Sequence, residues 1–333
     1  MNSKTNYNKN IFYIISGETG FKKTDEEILK SLGNVRKMDY TSKTSYFNPI
    51  VWINLIWCQS IVIWFASVHA IPVILLNYLF NKRLIIIAGG FDVANEPTMR
   101  YGAMRGKSRA IIGKWILSRP HSIIAVSKSN YQEIVENGRV NSPKVHLIYN
   151  AVSKKENHQH IEKKQQILTV GEINEETYLR KGLDRFIKVA EKLPLIQFIH
   201  IGKWTNNKGI QCHKMINYVK SISPSNIKYL GFIDKKELDN FYEESKIYLQ
   251  LSRHEAFGVS VVEAMSYGCV PIVFNAYALP EVVGNNGFII NNIGECKQAI
   301  NKIVTGLPNL TIDFNPKFNL THRQSEFERV LAN

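Results

Sequence analysis

Two acidic residues with seven residues between them, Glu255 and Glu263, stand where the chain could hold a charged ligand. The apolar runs 247–251 and 270–274 predict buried strands on either side, and apolar residues at helical spacing predict a helix between those strands. Eight helical steps span about 12 Å, comparable to the reach from a hexose to the ribose of a nucleotide diphosphate sugar. The spacing therefore indicates a site that could hold both ends of such a molecule.

The loop between the two acids contains Gly258, which leaves the backbone uncovered. The N–H groups near Phe257, Gly258 and Val259 could face an anion at the positive end of the predicted helix. Sugar, diphosphate and ribose could thus share one site. Two Glu residues at this spacing are also common on solvated helix faces, but the flanking strands favour the site.

A pair of cations, Arg180 and Lys181, precedes Gly182 at the predicted start of a helix that runs to 193. An Arg can fork to two oxygens and a Lys acts as a point charge, so the pair could clamp a diphosphate. The alternative is a cation pair on a helix surface.

Two polar loops in the first half follow predicted strands. Gly17 and Gly20 come after the strand 11–16, where glycines allow a phosphate or sugar to approach the backbone, although an ordinary turn explains them equally well. Asp92 follows Gly89 and Gly90 after the strand 84–88, and it could serve an acceptor or only cap the turn. These two interpretations of Asp92 carry equal weight.

The remaining pattern alternates strands with helices, which implies parallel sheets with ligands at the carboxyl ends of the strands. The first helix is predicted to start at Thr24, with Glu27 completing a capping box. Further strands are predicted at 35–38, 61–65, 122–127, 145–148, 167–170, 198–202 and 227–230, and further helices at 49–57, 70–80, 101–118, 128–137, 238–245, 291–305 and 324–331.

The segment Glu255-Ala256-Phe257-Gly258 through Glu263-Ala264-Met265, followed by Ala278-Leu279-Pro280-Glu281-Val282-Val283, resembles the signature of the retaining family 4 glycosyltransferases. Ala256 stands where that family usually has Gly. The resemblance implies that Glu255 meets hydroxyls of the donor sugar, that Glu263 meets the ribose, and that Arg180 and Lys181 neutralise the leaving diphosphate.

The same resemblance assigns the other candidate residues. It implies that the loop with Gly17 and Gly20 closes over the donor, and that Phe232 and Ile233 lie beside the nucleobase. Asp92 matches an aspartate near the acceptor, whereas Gly89 stands at a position where many members carry His.

The fold class implied is α/β of the GT-B type, with two Rossmann-like domains facing a central cleft. Residues 1–152 would bind the acceptor, 153–165 have the polar composition of a linker, and 166–318 would bind the nucleotide sugar. Residues 319–333 would form a helix that packs back on the first domain. No Asp-x-Asp motif occurs, so we expect no metal site, and no cofactor besides the nucleotide diphosphate sugar donor.

The net charge of +14 is unevenly distributed. Residues 1–160 hold 21 Lys and Arg against 10 Asp and Glu (+11), and residues 161–333 hold 21 against 18 (+3). A basic first half suits an anionic membrane surface better than nucleic acid, because no Arg-rich or RNA-binding aromatic motif appears. The basic helix predicted at 101–118 could meet phospholipid headgroups or a lipid diphosphate acceptor. A merely solvated basic surface is an equally weighted alternative.

Several features indicate a cytoplasmic protein. The apolar segment 11–16 is too short for a secretory signal, and polar residues interrupt the apolar region 49–80. The four cysteines have no paired spacing, which is typical of free thiols in a reducing compartment. Peripheral attachment to the inner face of the membrane stays open.

Together with these patterns, the resemblance implies a metal-independent, retaining hexosyltransferase. It would move a sugar from a nucleotide diphosphate sugar to a hydroxyl of a glycan or lipid-linked acceptor, in assembly of a cell-surface glycan or lipid-linked oligosaccharide. Two alternatives remain, a sugar-nucleotide epimerase of the same fold and a non-catalytic sugar-binding protein.

Overall fold

A computed structural model of the protein describes residues 9–40, 48–153, 163–206, 209–306 and 312–332. The chain divides into two compact units: unit 1 comprises Met1–Val152 and Pro316–Asn333, and unit 2 comprises Ser153–Asn315. Most of the predicted linker 153–165 lies outside the described residues. None of the helices in the described part of the chain has the length and apolar content of a membrane span.

Unit 1 is built on a parallel sheet of six strands in the order β2-β1-β3-β4-β5-β6. Its central strands are nearly continuous runs of Ile, Val and aromatic residues, as expected for strands buried on both faces. The strands are β1 (Lys9–Ile15), β2 (Gly33–Asp39), β3 (Ser60–Trp64), β4 (Arg83–Ala88), β5 (Ser122–Ala125) and β6 (Val145–Leu147).

Helices cover both faces of this sheet. They are α1 (Gly20–Leu32), α2 (Ile50–Trp57), α3 (Ala70–Phe80), α4 (Lys107–Leu117) and α5 (Lys128–Glu136). Helices α2 to α5 contribute buried side chains to one hydrophobic core, and they therefore lie on the same face of the sheet. The reversal of strand order after β2 places α1 on the opposite face, since parallel crossovers are right-handed.

Two helix predictions in unit 1 are wrong. Helix α1 begins at Gly20 rather than at Thr24, whose hydroxyl donates instead to the Gly20 carbonyl within the helix, at 3.1 Å. The helix predicted over 101–118 is a short 3-10 turn (Ala103–Arg105) followed by α4, because Gly102 adopts φ +100° and Gly106 interrupts the helical hydrogen bonding with an extended conformation.

Unit 2 holds a second parallel sheet of six strands in the order β12-β11-β10-β7-β8-β9. The strands are β7 (Lys164–Val170), β8 (Gln197–Ile201), β9 (Ile227–Gly231), β10 (Ser245–Gln250), β11 (Val270–Phe274) and β12 (Phe288–Ile290). The helices are α6 (Glu175–Arg180), α7 (Leu183–Glu191), α8 (Lys214–Ser221), α9 (Lys235–Glu244), α10 (Val259–Ser266), α11 (Leu279–Val283) and α12 (Ile293–Val304).

The segment before Gly182 differs from its prediction. It forms the separate helix α6, whose start is fixed by a reciprocal capping box between Asn174 and Thr177. Arg180 therefore ends one helix and does not open the next, which begins after Gly182.

The last helix, α13 (Leu320–Ala332), belongs to unit 1. Arg323 forms a doubly hydrogen-bonded ion pair with Asp25 of α1, at 2.6 and 2.8 Å. The remaining guanidinium nitrogen donates to the carbonyls of Ile148 and Tyr149, at 3.0 and 2.6 Å. The chain thus leaves unit 1 at Val152 and returns to it at Pro316.

Candidate active site

The carboxylate of Glu255 forms the centre of the site in unit 2. This residue follows β10, and its Oε1 accepts hydrogen bonds from Lys181 Nζ at 2.5 Å, Ser252 Oγ at 3.0 Å and Gln250 Nε2 at 3.3 Å. The Glu255 and Lys181 side chains are 10% and 26% exposed. The pair is therefore buried on its Glu side and open to solvent on its Lys side.

Gly182 explains why two residues 74 positions apart in the chain meet. It adopts φ +71°, and a Cβ at this position would lie 2.0 Å from the Leu251 carbonyl oxygen. The Arg253 N–H also donates to the Arg180 carbonyl at 2.8 Å. Only glycine permits this close approach, which fixes the turn carrying Lys181 against the end of β10.

The electrostatics of the pair keep the acid ionised. Burial alone would raise the pKa of Glu255, but the charges of Lys181 and Arg180 together with hydrogen bonds outweigh it and the pKa is lowered. Burial and the neighbouring Arg180 lower the pKa of Lys181, against the attraction of Glu255. Arg180 itself also pairs with Glu176 at 3.5 Å. The site thus holds Glu255 beside two cations, one of which also pairs with Glu176.

Helix α10 begins next to this pair. Its N-cap residue is Gly258, with φ +95°, and a Cβ there would lie 3.1 Å from Leu279 Cδ2. The first N–H groups of a helix lack partners within the helix and carry partial positive charge. Val259 is the first helical residue, and the Phe257 side chain is buried in the unit.

Glu263 lies one turn further along α10. Its carboxylate accepts a hydrogen bond from Tyr242 OH at 3.3 Å and lies 3.7 Å from Lys235 Nζ. Burial, more than any other factor, raises the pKa of Glu263. Phe232 and Ile233 immediately precede α9, the helix that carries Lys235, but they follow β9, the outermost strand and three positions from β10. They are thus linked to Glu263 along the chain through α9, and the Phe232 ring lies 5.0 Å from Lys203 Nζ.

Asp92 in unit 1 is surrounded by backbone. Its Oδ1 accepts from the N–H groups of Gly89 and Gly90 at 3.1 and 2.9 Å, and its Oδ2 accepts from Ala66 at 2.8 Å. The residue is fully buried, and burial raises its pKa to about 6. This geometry is that of a residue that joins the loops after β3 and β4.

Gly89 is required by a neighbouring aromatic ring. Phe65, directly after β3, adopts φ +71°, and a Cβ on Gly89 would lie 1.8 Å from its Cε1 atom. The space that a side chain at Gly89 would need is therefore occupied by the Phe65 ring. This accounts in physical terms for a glycine where the resemblance implies His.

The loop with Gly17 and Gly20 is bound to its own unit. The Gly17 N–H donates to Asp39 Oδ1 at 2.8 Å, and its carbonyl accepts from Lys22 Nζ at 2.6 Å. Lys22 is buried, its Nζ lies 4.9 Å from the centre of the Phe65 ring, and burial lowers its pKa to about 8. Gly20 is the first residue of α1, and a Cβ added at this position would contact no other atom within 4 Å.

Sequence reasoning missed four residues of these arrangements, namely Gln250, Ser252, Tyr242 and Lys22. The signal for Gln250 was its polar side chain in an otherwise apolar strand, and Ser252 stands only three residues before Glu255. Neither Tyr242 nor Lys22 had a distinguishing pattern. Within the described ranges, no group of three or more His, Cys, Asp or Glu residues is placed to hold a metal ion.

Comparison with known proteins connects this site to a family. Residues 152–308 match the family model described as Glycosyl transferases group 1. An uncharacterised 41.2 kDa protein in the cps region of Klebsiella pneumoniae is 32% identical over 206 residues, which is 58% of this chain and 52% of that protein. The O-antigen chain mannosyltransferase B of Escherichia coli is 36% identical over 63 residues, or 19% and 16% of the two chains. The matches thus span about half the length of the first relative and less of the second.

Solved structures share the whole fold. HepE of Anabaena, crystallised with UDP and glucose, superimposes with a TM-score of 0.74 at 15% identity, over 97% of this chain and 99% of that chain. The sucrose-phosphate synthase of Thermosynechococcus elongatus gives 0.70 at 14% identity, over 98% and 95%. The predicted α/β GT-B fold class is therefore confirmed, and residues 152–308, a little under half of the chain, are similar to the glycosyl transferases group 1 family.

Proposed function

We propose that the protein is a retaining glycosyltransferase that uses a nucleotide diphosphate sugar as donor. The observation that carries this proposal is the Glu255–Lys181 pair, which opens to solvent beside the first turn of α10. A carboxylate, two cations and the N–H groups at the start of a helix are the groups that a sugar and a diphosphate need. The E. coli mannosyltransferase, which aligns in part, and HepE with its bound UDP support the same class of donor.

In this proposal each group has one task. Glu255, held by Ser252 and Gln250, accepts hydrogen bonds from the donor sugar hydroxyls. Lys181, Arg180 and the N–H groups of Phe257, Gly258 and Val259 take up charge on the departing diphosphate. Fixed donors of this kind act more strongly in the transition state than in the ground state, because charge develops on the leaving group as its bond breaks.

The bond changes follow from transfer with retention. The bond between the anomeric carbon and the diphosphate oxygen breaks, and the acceptor oxygen binds that carbon with the original configuration. The acceptor's hydroxyl proton passes to the oxygen of the departing diphosphate, and the nucleoside diphosphate leaves. Glu263 binds the ribose, and Phe232 and Ile233 lie beside the base. We assign acceptor recognition to unit 1 and contact with the donor to its loop with Gly17 and Gly20, whereas Asp92 joins the loops after β3 and β4.

The finer features are proposals of the same kind. We assign the reaction to hexosyl transfer without a metal ion and without another cofactor, at the cytoplasmic side of a membrane. The acceptor is a glycan or lipid-linked intermediate of cell-surface polysaccharide assembly. The relatives named for O-antigen chains support this class of acceptor.

A donor panel tests the proposal. The full chain is incubated with a set of UDP-, GDP- and ADP-sugars, and released sugar and nucleoside diphosphate are quantified with and without EDTA. We expect slow hydrolysis of one donor, unaffected by EDTA, and a loss of about 10²-fold or more in Glu255→Gln. Glu244→Gln, which changes an exposed acid paired with Lys164, is the matched control and keeps full turnover. The anomeric configuration of the transfer product, read by NMR, tests retention.

Other results would overturn the proposal. An epimerised nucleotide sugar formed from donor alone identifies an epimerase. Calorimetric binding of a donor without turnover, in the presence of glycan and lipid-linked acceptors, identifies a sugar-binding protein. Absence of nucleotide-sugar binding contradicts the assignment of the site.

A further inference from the structure

The outer surface of α2 and α3 exposes large apolar side chains. Six of them, all between 45% and 73% exposed, form what we call the α2–α3 face: Trp52, Ile53, Ile56, Leu75, Tyr78 and Leu79. The inner sides of the same helices are already packed in the core of unit 1 through Val51, Leu55, Val73 and Ile74. These helices therefore expose apolar surface in addition to the apolar surface that they bury in the core of unit 1.

The exposed residues belong to one continuous layer. Helices α2 and α3 pack against each other, and the rings of Trp52 and Phe80 meet edge to face at 5.9 Å between centroids. Helix α3 in turn contacts α4, which adds exposed Ile111 and Ile112. A contiguous exposed apolar surface of this kind marks an interaction site more often than scattered single residues do.

The charges around this layer have one sign. Between residues 40 and 132 the sequence holds ten Lys and Arg against two acids, Asp92 and Glu96, and Asp92 is buried in its loop. Neither α2 nor α3 contains a charged residue. The exposed cations Arg105, Lys107 and Arg109 lie at the start of α4 and just before it. The uncharged apolar face therefore adjoins α4, whose first residues include exposed cations, in a part of the sequence with few acids.

From this combination we infer that the α2–α3 face docks on an anionic phospholipid leaflet. Ile53, Ile56 and Leu79 enter the boundary between headgroups and acyl chains, as the apolar sides of interfacial helices do. Trp52 and Tyr78 lie at the level of the headgroups, where amphipathic rings are favoured. The cations near α4 meet the lipid phosphates. The cations at the start of α4 and just before it would then supply charge, whereas the apolar side chains of α2 and α3 insert between the lipids.

A second copy of the chain is a poorer occupant of this face. Symmetric pairing through the face would bring the cations of both copies together, with almost no acid in the same region to compensate. An anionic bilayer meets the apolar and the basic parts of the surface at once. The inference does not depend on the proposed transferase function, because it concerns residues outside the candidate site.

Vesicle sedimentation with matched variants tests the inference. The full chain is mixed with vesicles of pure phosphatidylcholine or of phosphatidylcholine that contains about 30% phosphatidylglycerol. Both mixtures are measured at two salt concentrations. We expect sedimentation with the anionic vesicles and at least about a tenfold weaker partition for the double variant Ile56→Glu/Leu79→Glu. The matched control is Leu195→Glu in unit 2, at a fully exposed leucine, which binds as wild type does.

A second variant separates charge from insertion. Lys107→Gln/Arg109→Gln should weaken binding to anionic vesicles and reduce its salt dependence, while Lys297→Gln/Lys302→Gln on α12 should change neither. Circular dichroism and donor hydrolysis in solution confirm that each variant is folded, independently of lipid binding.

Three outcomes would overturn the inference. The first is wild-type protein that binds neither kind of vesicle. The second is binding that is unchanged in Ile56→Glu/Leu79→Glu, since attraction would then be purely electrostatic. The third is a solution dimer that this variant dissociates, without vesicle binding, since a second copy would then be the occupant.

Discussion

Two ion pairs of similar chemistry, one in each unit, differ in how far they are exposed. In unit 1, Arg323 and Asp25 are each 1% exposed, and the Trp64 indole N–H also donates to Asp25 at 3.0 Å. In unit 2, Glu255 also accepts hydrogen bonds from Ser252 and Gln250, but Lys181 stays 26% exposed. One pair is closed on every side, and the other is open on the side of its cation.

The difference in burial indicates which of the two pairs a ligand could reach. A closed pair can only hold elements together, since no ligand reaches it, and here it fixes α13 to α1. An open pair keeps a cation whose partner a ligand could replace. The same contrast separates Asp92, whose oxygens are taken by backbone N–H groups, from Glu255, whose partners are side chains on one oxygen. The predictions below test this contrast.

The largest effect is expected from Lys181→Ala. Loss of this cation removes charge stabilisation from the departing diphosphate, so kcat should fall by about 10³-fold. The fold should persist, because Glu255 retains Ser252 and Gln250 as donors. Steady-state turnover of the donor, with circular dichroism as the check on folding, measures the effect.

The control for Lys181→Ala is Lys164→Ala. Lys164 pairs with Glu244 at 2.6 Å, a distance close to that of the Lys181–Glu255 pair, but both side chains are exposed. Its removal should leave turnover unchanged. Full activity in Lys181→Ala would show that the open pair is structural after all.

The next effect is expected from Arg323→Met, in the closed pair. Met fills similar space but leaves Asp25 buried without its cation, which should lower the free energy of unfolding by about 3–5 kcal/mol. Urea unfolding followed by tryptophan fluorescence reports on unit 1, because Trp52, Trp57, Trp64 and Trp115 lie there and only Trp204 lies in unit 2.

Helix α13 provides the matched control. Arg329 pairs with Glu326 at 2.6 Å on the same helix, but its side chain is 55% exposed, so Arg329→Met should cost less than about 1 kcal/mol. Equal costs for the two variants would mean that burial does not distinguish these pairs.

Much of the fold was predictable because the buried strands are long apolar runs. The predicted strand 270–274 and helix 70–80 match β11 and α3 residue for residue. The short elements α8, α11 and β12 were missed, since three to eight residues show too little periodicity. The false start at Thr24 arose because its spacing to Glu27 satisfies a capping box, although Gly20 allows the helix to begin a turn earlier.

The site was predictable where its residues are close in the chain. Glu255, Gly258 and Glu263 were predicted together because one loop and one helix carry them. The contact of Lys181 with Glu255 depends on the close approach of Gly182 to Leu251, a long-range packing relation that no local pattern encodes. The sequence likewise does not decide between the two roles of Asp92, because the backbone groups that it binds come from loops after two different strands.

Asp92→Ala separates those two roles. If Asp92 joins the loops, its loss leaves three buried N–H groups without their acceptor, and the free energy of unfolding of unit 1 should fall by about 2–4 kcal/mol. Turnover of the folded fraction at low temperature should change little. A large loss of turnover with unchanged urea unfolding would instead establish the acceptor role.

Gly89→Ala should give the smallest effect, about 1–2 kcal/mol, because the Phe65 ring must move away from the new methyl group. The companion variant in unit 2, Gly258→Ala, should cost a similar amount for another reason, since φ +95° strains any residue with a Cβ. Double-mutant cycles distinguish the two causes. Phe65→Ala should relieve the cost at Gly89, whereas Leu279→Ala should leave most of the cost at Gly258, because backbone strain does not depend on the neighbouring side chain. If Phe65→Ala brings no relief, the glycine at position 89 needs an explanation other than the ring beside it.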